Sequence, residues 1–270
     1  MKNLFLFLLV LMGLFQGSYA TSLTEEKIWN DASLFLFNEA HEDLKTVRQQ
    51  GRFPEREENY IEALLLLNVQ PKTEENIQRS AELFRRVEEV KGDDERGIAA
   101  KYYRGRIMQI HQERPDLVRA EKIYKELLHD FPLNPISQRA LIQVVLLRLY
   151  GNLEKGEIFH RLEEVEELKG FIRNPSTAVC YHELISDYMI RFGGNKEVIL
   201  NHLIAAEQAG IHSFMNRADT YVRMGMIARE LGKRDVSILY FSKFLKEFQR
   251  DARHYQVQMI LREMGSVASK

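Results

Sequence analysis

The chain has 270 residues, of which 38 are Lys or Arg and 39 are Asp or Glu, so its net charge is −1. A nearly neutral chain has no electrostatic reason to bind nucleic acid or an anionic membrane surface. Its one cysteine, Cys180, excludes an internal disulfide. We therefore expect a fold that is held together by apolar packing, with no nucleic-acid partner.

The first twenty residues have the layout of a secretory signal peptide. Lys2 precedes an apolar run over residues 4–15, and the small residues Ser18 and Ala20 stand at the cleavage positions. A run of about 12 residues is too short to span a bilayer about 30 Å thick, which argues against an uncleaved anchor. We expect a mature chain that begins at Thr21, is exported to the periplasm or secreted, and has no stable membrane insertion.

Three helices are expected in the first part of the mature chain. The mature chain is predicted to begin with one long helix from Ile28 to Arg48, whose buried stripe includes Leu36. Residues 55–68 and 73–90 are predicted to form the next two helices, with a break around Pro71 between them.

Two amphipathic helices joined by a turn are predicted for residues 221–248. Gly232 separates them and can adopt the left-handed conformation that ends many helices. Gly225 falls within the first helix, where glycine is unfavourable, so it indicates a place where two helices approach closely. Apolar or small residues recur at helical spacing at Tyr221, Met224, Gly225 and Ala228, and then at Val236, Leu239, Tyr240, Phe244 and Phe248.

The segment follows a pattern of residue types: aromatic, an apolar-small pair, small, a turn glycine, small and aromatic. In chain order these positions are Tyr221, Met224 with Gly225, Ala228, Gly232, Ser237 and Phe241. This arrangement resembles the tetratricopeptide repeat (TPR). Ala120, Tyr124 and Pro132 give a partial second match, and a third unit has His182 and His202 in aromatic places. The resemblance implies an all-α fold, a right-handed α-solenoid of stacked antiparallel helix pairs.

An internal period supports this interpretation, because repeats of 20–50 residues are typical of solenoids. Predicted first helices begin near Asp94, Asn134, Asn174 and Ser213, in steps of 40, 40 and 39 residues. Their second helices are predicted to begin near Asp116, Glu154, Lys196 and Arg234. The predicted domains are the signal peptide (1–20), N-terminal helices that cap the array (21–72), TPR-like repeats (73–250), and a C-terminal capping helix with its tail (251–270).

No motif for catalysis, a cofactor or a metal ion is recognisable. The chain has no His-Glu-x-x-His, no two histidines at i, i+4 on one helix, and no clustered cysteines. A glycine-rich phosphate loop and a Gly-x-Ser-x-Gly motif are likewise missing from the sequence. We therefore expect no catalytic, cofactor-binding or metal-binding residues, with His182 and His202 in the core and Cys180 as a small buried hydrophobe.

The expected function is that of a non-enzymatic scaffold that binds a protein or peptide in a concave groove, since the first helix of each pair lines that face in the family. Self-association into a homo-oligomer of the cell envelope is the alternative, followed by an accessory enzyme acting on cell-wall or glycan substrates. Family members that clamp a terminal carboxylate use lysine and asparagine, which the candidate positions lack. The groove residues predicted from helical spacing are Tyr102, Gln109, Gln138, Arg148, Glu183, Asp187, Asp219 and Arg229.

Overall fold

A computed structural model describes residues 23–49, 54–151, 158–210 and 214–267. Within these ranges every regular element is helical and no strand occurs, which confirms the all-α prediction. The predicted signal peptide and Thr21 lie outside the described residues, as do the predicted helix starts at Glu154 and Ser213.

The described residues form thirteen α-helices. A π-helical turn, Ile107–His111, extends the fifth helix, and a 3-10 turn, Glu167–Phe171, extends the eighth. The helices are α1 Leu23–Ser33, α2 Phe37–Gln49, α3 Glu55–Leu66, α4 Glu74–Val90, α5 Glu95–Arg106, α6 Leu117–Asp130, α7 Pro135–Tyr150, α8 Ile158–Glu166, α9 Pro175–Phe192, α10 Lys196–Gly210, α11 Phe214–Glu230, α12 Arg234–Glu247 and α13 His254–Val267.

The predicted period is confirmed at the helix starts. Asp94, Asn134 and Asn174 each accept a hydrogen bond from a backbone N–H in the first turn of the helix that follows, at 2.8 Å in all three cases. Such N-caps satisfy donors that a helix leaves without an internal partner. The spacing also continues beyond residues 73–250, because α3 begins 40 residues before α5 and α13 begins 40 residues after α11.

The chain divides into two compact units, residues 1–123 and 124–270, and the division falls within α6. In the first unit each helix from α1 to α4 packs against the next along the chain. In the second unit α7 contacts both α8 and α9, and each helix from α9 to α12 packs against the next along the chain. This packing of successive helices fits a helical repeat.

The first predicted helix is wrong in one respect, because the structure breaks it into α1 and α2. The chain reverses at Leu34, Phe35 and Leu36, and Phe35 takes a positive φ of 65°. This conformation costs about 1–2 kcal/mol for a residue other than glycine. Leu36, expected in the buried stripe, is 42 % exposed. The reversal lets α1 pack against α2, and it buries a cluster of Ile28, Ala32, Ala40, Leu44, Val47, Ile61 and Leu65.

Gly225 lies at a close contact between α11 and α12, as predicted. A Cβ atom at this position would come within 2.4 Å of Cε1 in the Phe241 ring, which is fully buried. The Ser237 hydroxyl donates a hydrogen bond of 2.8 Å to the Gly225 carbonyl. Gly232 ends α11 with a φ of 71°, in the left-handed region. The pattern that carried the resemblance therefore describes a real helix-pair contact.

None of the helices that the structure describes combines the length and the apolar character needed to cross a bilayer.

Candidate functional site

Two of the eight predicted groove residues are buried. Tyr102 is 6 % exposed and Gln138 is 1 % exposed. The Gln138 amide donates to the carbonyl oxygens of Pro132 and Phe171, both at 2.9 Å, and its Oε1 accepts from the N–H of Arg173 at 2.9 Å. Gln138 therefore joins two loops by way of their backbones and has no surface left for a partner.

Three further candidates are half-buried. Gln109 lies in the π-helical turn, where its Oε1 accepts a hydrogen bond of 3.0 Å from Arg106. Arg148 pairs with Glu164 at 2.9 Å, joining α7 to α8. Glu183 is half-buried on α9. Gln109 and Arg148 therefore support the local fold as well as reaching the surface.

The remaining three candidates are exposed, and the structure brings them onto one surface. Asp187 on α9 accepts from Arg223 on α11 at 2.7 Å. Asp219 on α11 accepts from Arg253, just before α13, at 2.6 Å. Arg229 on α11 lies 3.5 Å from Glu263 on α13. These ion pairs place α9, α11 and α13, three successive first helices of the second unit, side by side.

We call the exposed surface of these helices the first-helix face. This face carries both exposed apolar side chains and charged side chains. Each of the three ion pairs joins one positive and one negative group, so the pairs add no net charge to the face. Exposed ion pairs contribute only about 0–1 kcal/mol each, so a partner can exchange them at little cost. Its residues are Cys180, Asp187, Ile190, Asp219, Arg223, Met226, Arg229, Met259 and Glu263.

The expectation for Cys180 is wrong, because its side chain is exposed rather than buried. It stands on α9 where Asp219 stands on α11, since each is the sixth residue of its helix. Partial desolvation of the sulfur, together with the charge of nearby Glu183, raises the pKa of the Cys180 thiol above its ordinary value. A thiol with a raised pKa stays protonated at neutral pH and is a poor nucleophile.

A polar chain that sequence reasoning did not find lies between α8, α9 and α10. Nδ1 of His182 is 2.9 Å from Nδ1 of His202, and both residues are buried. On its other side His202 places Nε2 3.2 Å from Oε1 of Glu166. The available signal was that both histidines hold aromatic places of one predicted repeat, which puts them on facing sides of one helix pair.

The direction of these hydrogen bonds follows from the charge states. Burial lowers the pKa of His182 and of His202 to about 4, and nearby Lys169 acts in the same direction. Both rings are therefore neutral at pH 7. If Nε2 of His202 donates to Glu166, its Nδ1 must accept, and Nδ1 of His182 must donate. The chain is then internally satisfied and links three helices.

No group of three or more His, Cys, Asp or Glu side chains is arranged to hold a metal ion in the part of the chain that the structure describes. Comparison with known protein families and with curated proteins finds no match to this chain. The tetratricopeptide resemblance therefore stays a prediction that rests on residues 221–248 and on the helix packing.

Proposed function

We propose that this protein is a non-enzymatic scaffold of the TPR-like α-solenoid type, and that its first-helix face binds a segment of another protein. The observation that supports this most directly is the juxtaposition of α9, α11 and α13 by three exposed ion pairs. A right-handed stack of such pairs would curve this face into a groove. The apolar run over residues 4–15 supports action outside the cytoplasm.

The chemistry of the face fits protein recognition. Ile190 is 41 % exposed, and Met226 and Met259 are each 36 % exposed. Methionine and arginine are enriched in protein interfaces, where apolar contacts supply the affinity and charged groups select the partner. An extended segment could bury these three side chains while its polar groups replace some of the ion pairs.

A photo-cross-linking amino acid at position 226 tests the proposal. Position 226 lies in the first-helix face. Position 167, which is also exposed, lies on the 3-10 turn that extends α8 and serves as the control. Irradiation of the native host should give discrete protein adducts from position 226 and none from position 167. The same adducts from both positions, or from neither, would argue against a binding role for this face.

Charge reversal provides a second arm. In the double variant D187K/R229E, the new lysine lies next to Arg223 and the new glutamate lies next to Glu263, so each ion pair becomes a pair of like charges. Because these pairs are exposed, the free energy of unfolding should fall by no more than about 1 kcal/mol per pair. Adducts at position 226 should then weaken, whereas E163K/E167K near the end of α8 should leave them intact. Retention of all adducts in D187K/R229E would show that the charges do not select the partner.

The same experiments separate the alternatives. Adducts that contain a second copy of this chain, with a sedimentation coefficient that rises with concentration, would indicate a homo-oligomer instead. Turnover of purified cell-wall or glycan material by the mature chain would indicate an enzyme.

A further inference from the structure

Three aromatic rings form a cluster where α7 and α9 end. The Tyr150 ring meets Tyr188 edge to face with centroids 5.4 Å apart, and Phe192 lies 4.7 Å from Tyr188. Tyr188 is 3 % exposed and forms the floor of the cluster, whereas Tyr150 and Phe192 are 43 % and 44 % exposed. Two large rings therefore leave nearly half of their surface in water beside each other.

Charged groups on the last turns of α9 border this cluster. The Arg191 guanidinium lies 5.9 Å from the centroid of the Phe192 ring. Asp187, one turn before it, is paired with Arg223 at 2.7 Å. Within the described ranges of the chain, no carboxylate lies within ion-pair distance of Arg191. Among the residues that the structure describes, the positive charge beside the rings therefore has no carboxylate partner.

Tyr150 adds a hydrogen-bond donor. Partial burial, with the charge of Asp187 nearby, raises the pKa of Tyr150 above its ordinary value, so its hydroxyl stays protonated. We call Tyr150, Asp187, Tyr188, Arg191 and Phe192 together the aromatic patch.

We infer that the aromatic patch is the anchor point of the first-helix face, and that it binds an aromatic side chain of an extended peptide next to an acidic residue. The exposed edges of Tyr150 and Phe192 would cover the partner's ring, and Arg191 would take the neighbouring carboxylate. This inference rests on the proposed function and specifies the chemistry of its partner.

Two physical arguments favour this occupant. Tyrosine and arginine dominate interface hot spots, where an anchor side chain fills a site with an apolar floor and polar neighbours. A carboxylate complements the charge of Arg191, whereas a basic peptide would meet a charge of its own sign. Asp187 does not offset this, because Arg223 already neutralises it.

Selection of random linear peptides displayed on phage against the full mature chain tests the inference, and it does not require that the natural partner be identified. Enriched peptides should contain Phe, Trp or Tyr within two positions of Asp or Glu. Three variants are compared with the parent protein: Y150A/F192A, R191E, and Y255A as a control. Tyr255 is an aromatic residue on α13 that is 70 % exposed and lies outside the patch.

Y150A/F192A should reduce the enrichment of these peptides by about tenfold or more, which corresponds to about 1.4 kcal/mol of binding energy. R191E should shift the enriched residue beside the aromatic from acidic to basic, and it provides a test even if Y150A/F192A does not fold, because Arg191 is exposed. Y255A should behave as the parent. Thermal melts by circular dichroism verify that each variant is folded.

The outcomes separate the inference from the proposed function. Peptides that lack an aromatic-acidic pair, but that are lost in D187K/R229E, would overturn the inference and leave the binding face in place. An aromatic-acidic motif that survives both Y150A/F192A and R191E would also overturn it. If no peptide is enriched, the proposed peptide-binding function fails together with the inference, and binding to another class, such as a glycan, becomes the hypothesis to examine.

Discussion

The helix pairs α9–α10 and α11–α12 make the same contact with different chemistry. His182 and Tyr221 are each the eighth residue of a first helix, and His202 and Tyr240 are each the seventh residue of a second helix. In the first pair two imidazole nitrogens lie 2.9 Å apart. In the second pair the two tyrosine rings lie 6.0 Å apart, centroid to centroid, in a tilted arrangement.

The neighbouring positions differ in a compensating way. Gly225 in α11 faces the Phe241 ring, and the equivalent places of the other pair hold Ser186 and Leu203. A larger side chain on one helix is thus matched by a smaller one on its partner, as dense packing requires. The two pairs therefore keep the volume of the contact and differ in its polarity. The histidine contact depends on protonation in the range between pH 4 and pH 7, whereas the tyrosine contact does not.

The largest expected effect comes from filling the glycine place. Gly225→Leu should destabilise the protein by about 1–3 kcal/mol or more, because the added side chain overpacks the contact with Phe241. Even Gly225→Ala places its Cβ 2.4 Å from the ring. The free energy of unfolding from denaturant titration measures both losses.

Gly265 in α13 is the matched control, because a Cβ there meets no atom within 4 Å. Gly265→Ala should stabilise the protein by up to about 1 kcal/mol, since alanine favours the helix. The same sign of change at both glycines would show that the contact with Phe241 is not what places Gly225 there.

The second effect is a pH dependence of stability that the histidine pair contributes and the tyrosine pair does not. The pKa of each histidine lies at about 4 in the folded protein, below the ordinary 6.5. As the pH falls from 6.5 towards 4, the unfolded chain binds protons that the folded chain does not, so stability decreases. We expect a loss of at least about 2 kcal/mol between pH 7.5 and pH 4.5, because each histidine alone contributes about that much at about 1.4 kcal/mol per pKa unit.

The double variant H182Q/H202Q isolates this contribution. Glutamine can still form a hydrogen bond between α9 and α10 but does not titrate in this range. The pKa values of His41 and His111 are also lowered, chiefly by burial, and both residues persist in the variant. The difference between the two pH profiles therefore reports His182 and His202. Parallel profiles for variant and parent would contradict the assignment.

Sequence reasoning succeeded where the signal was local. The starts of α5, α7 and α9 were predictable because Asp94, Asn134 and Asn174 combine a capping side chain with a following helical pattern. Gly225 and Gly232 were informative because glycine in a helix, or at its end, has few explanations.

The sequence-based predictions were wrong where residues distant in the chain determine a helix break or the burial of a side chain. The break at Phe35 has no glycine or proline to announce it, and burial of the α1–α2 cluster determines it. Gln138 is buried because its partners come from Pro132, Phe171 and Arg173. Helical spacing could not distinguish it from Asp187, which is exposed.

The smallest expected effect concerns the cation that accompanies the tyrosine pair. Lys243 places Nζ 5.7 Å from the centroid of the Tyr221 ring and 5.1 Å from that of Tyr240, and it pairs with Glu207 at 2.7 Å. The equivalent place in α10 is Ala205, so the histidine pair lacks this cation.

Lys243→Ala should lower the free energy of unfolding by about 0.5–1 kcal/mol, because a partly exposed cation over a ring and a screened ion pair are each weak. Lys246→Ala, three residues further along α12 and exposed, should change it by less than about 0.5 kcal/mol. In about 1 M salt the ion pair with Glu207 is screened, whereas packing of the lysine stem against the rings is not. A loss at Lys243 that persists in salt would therefore assign its role to the tyrosines, and a loss that disappears would assign it to Glu207. Equal losses at Lys243 and Lys246 would show that neither contact stabilises this helix pair.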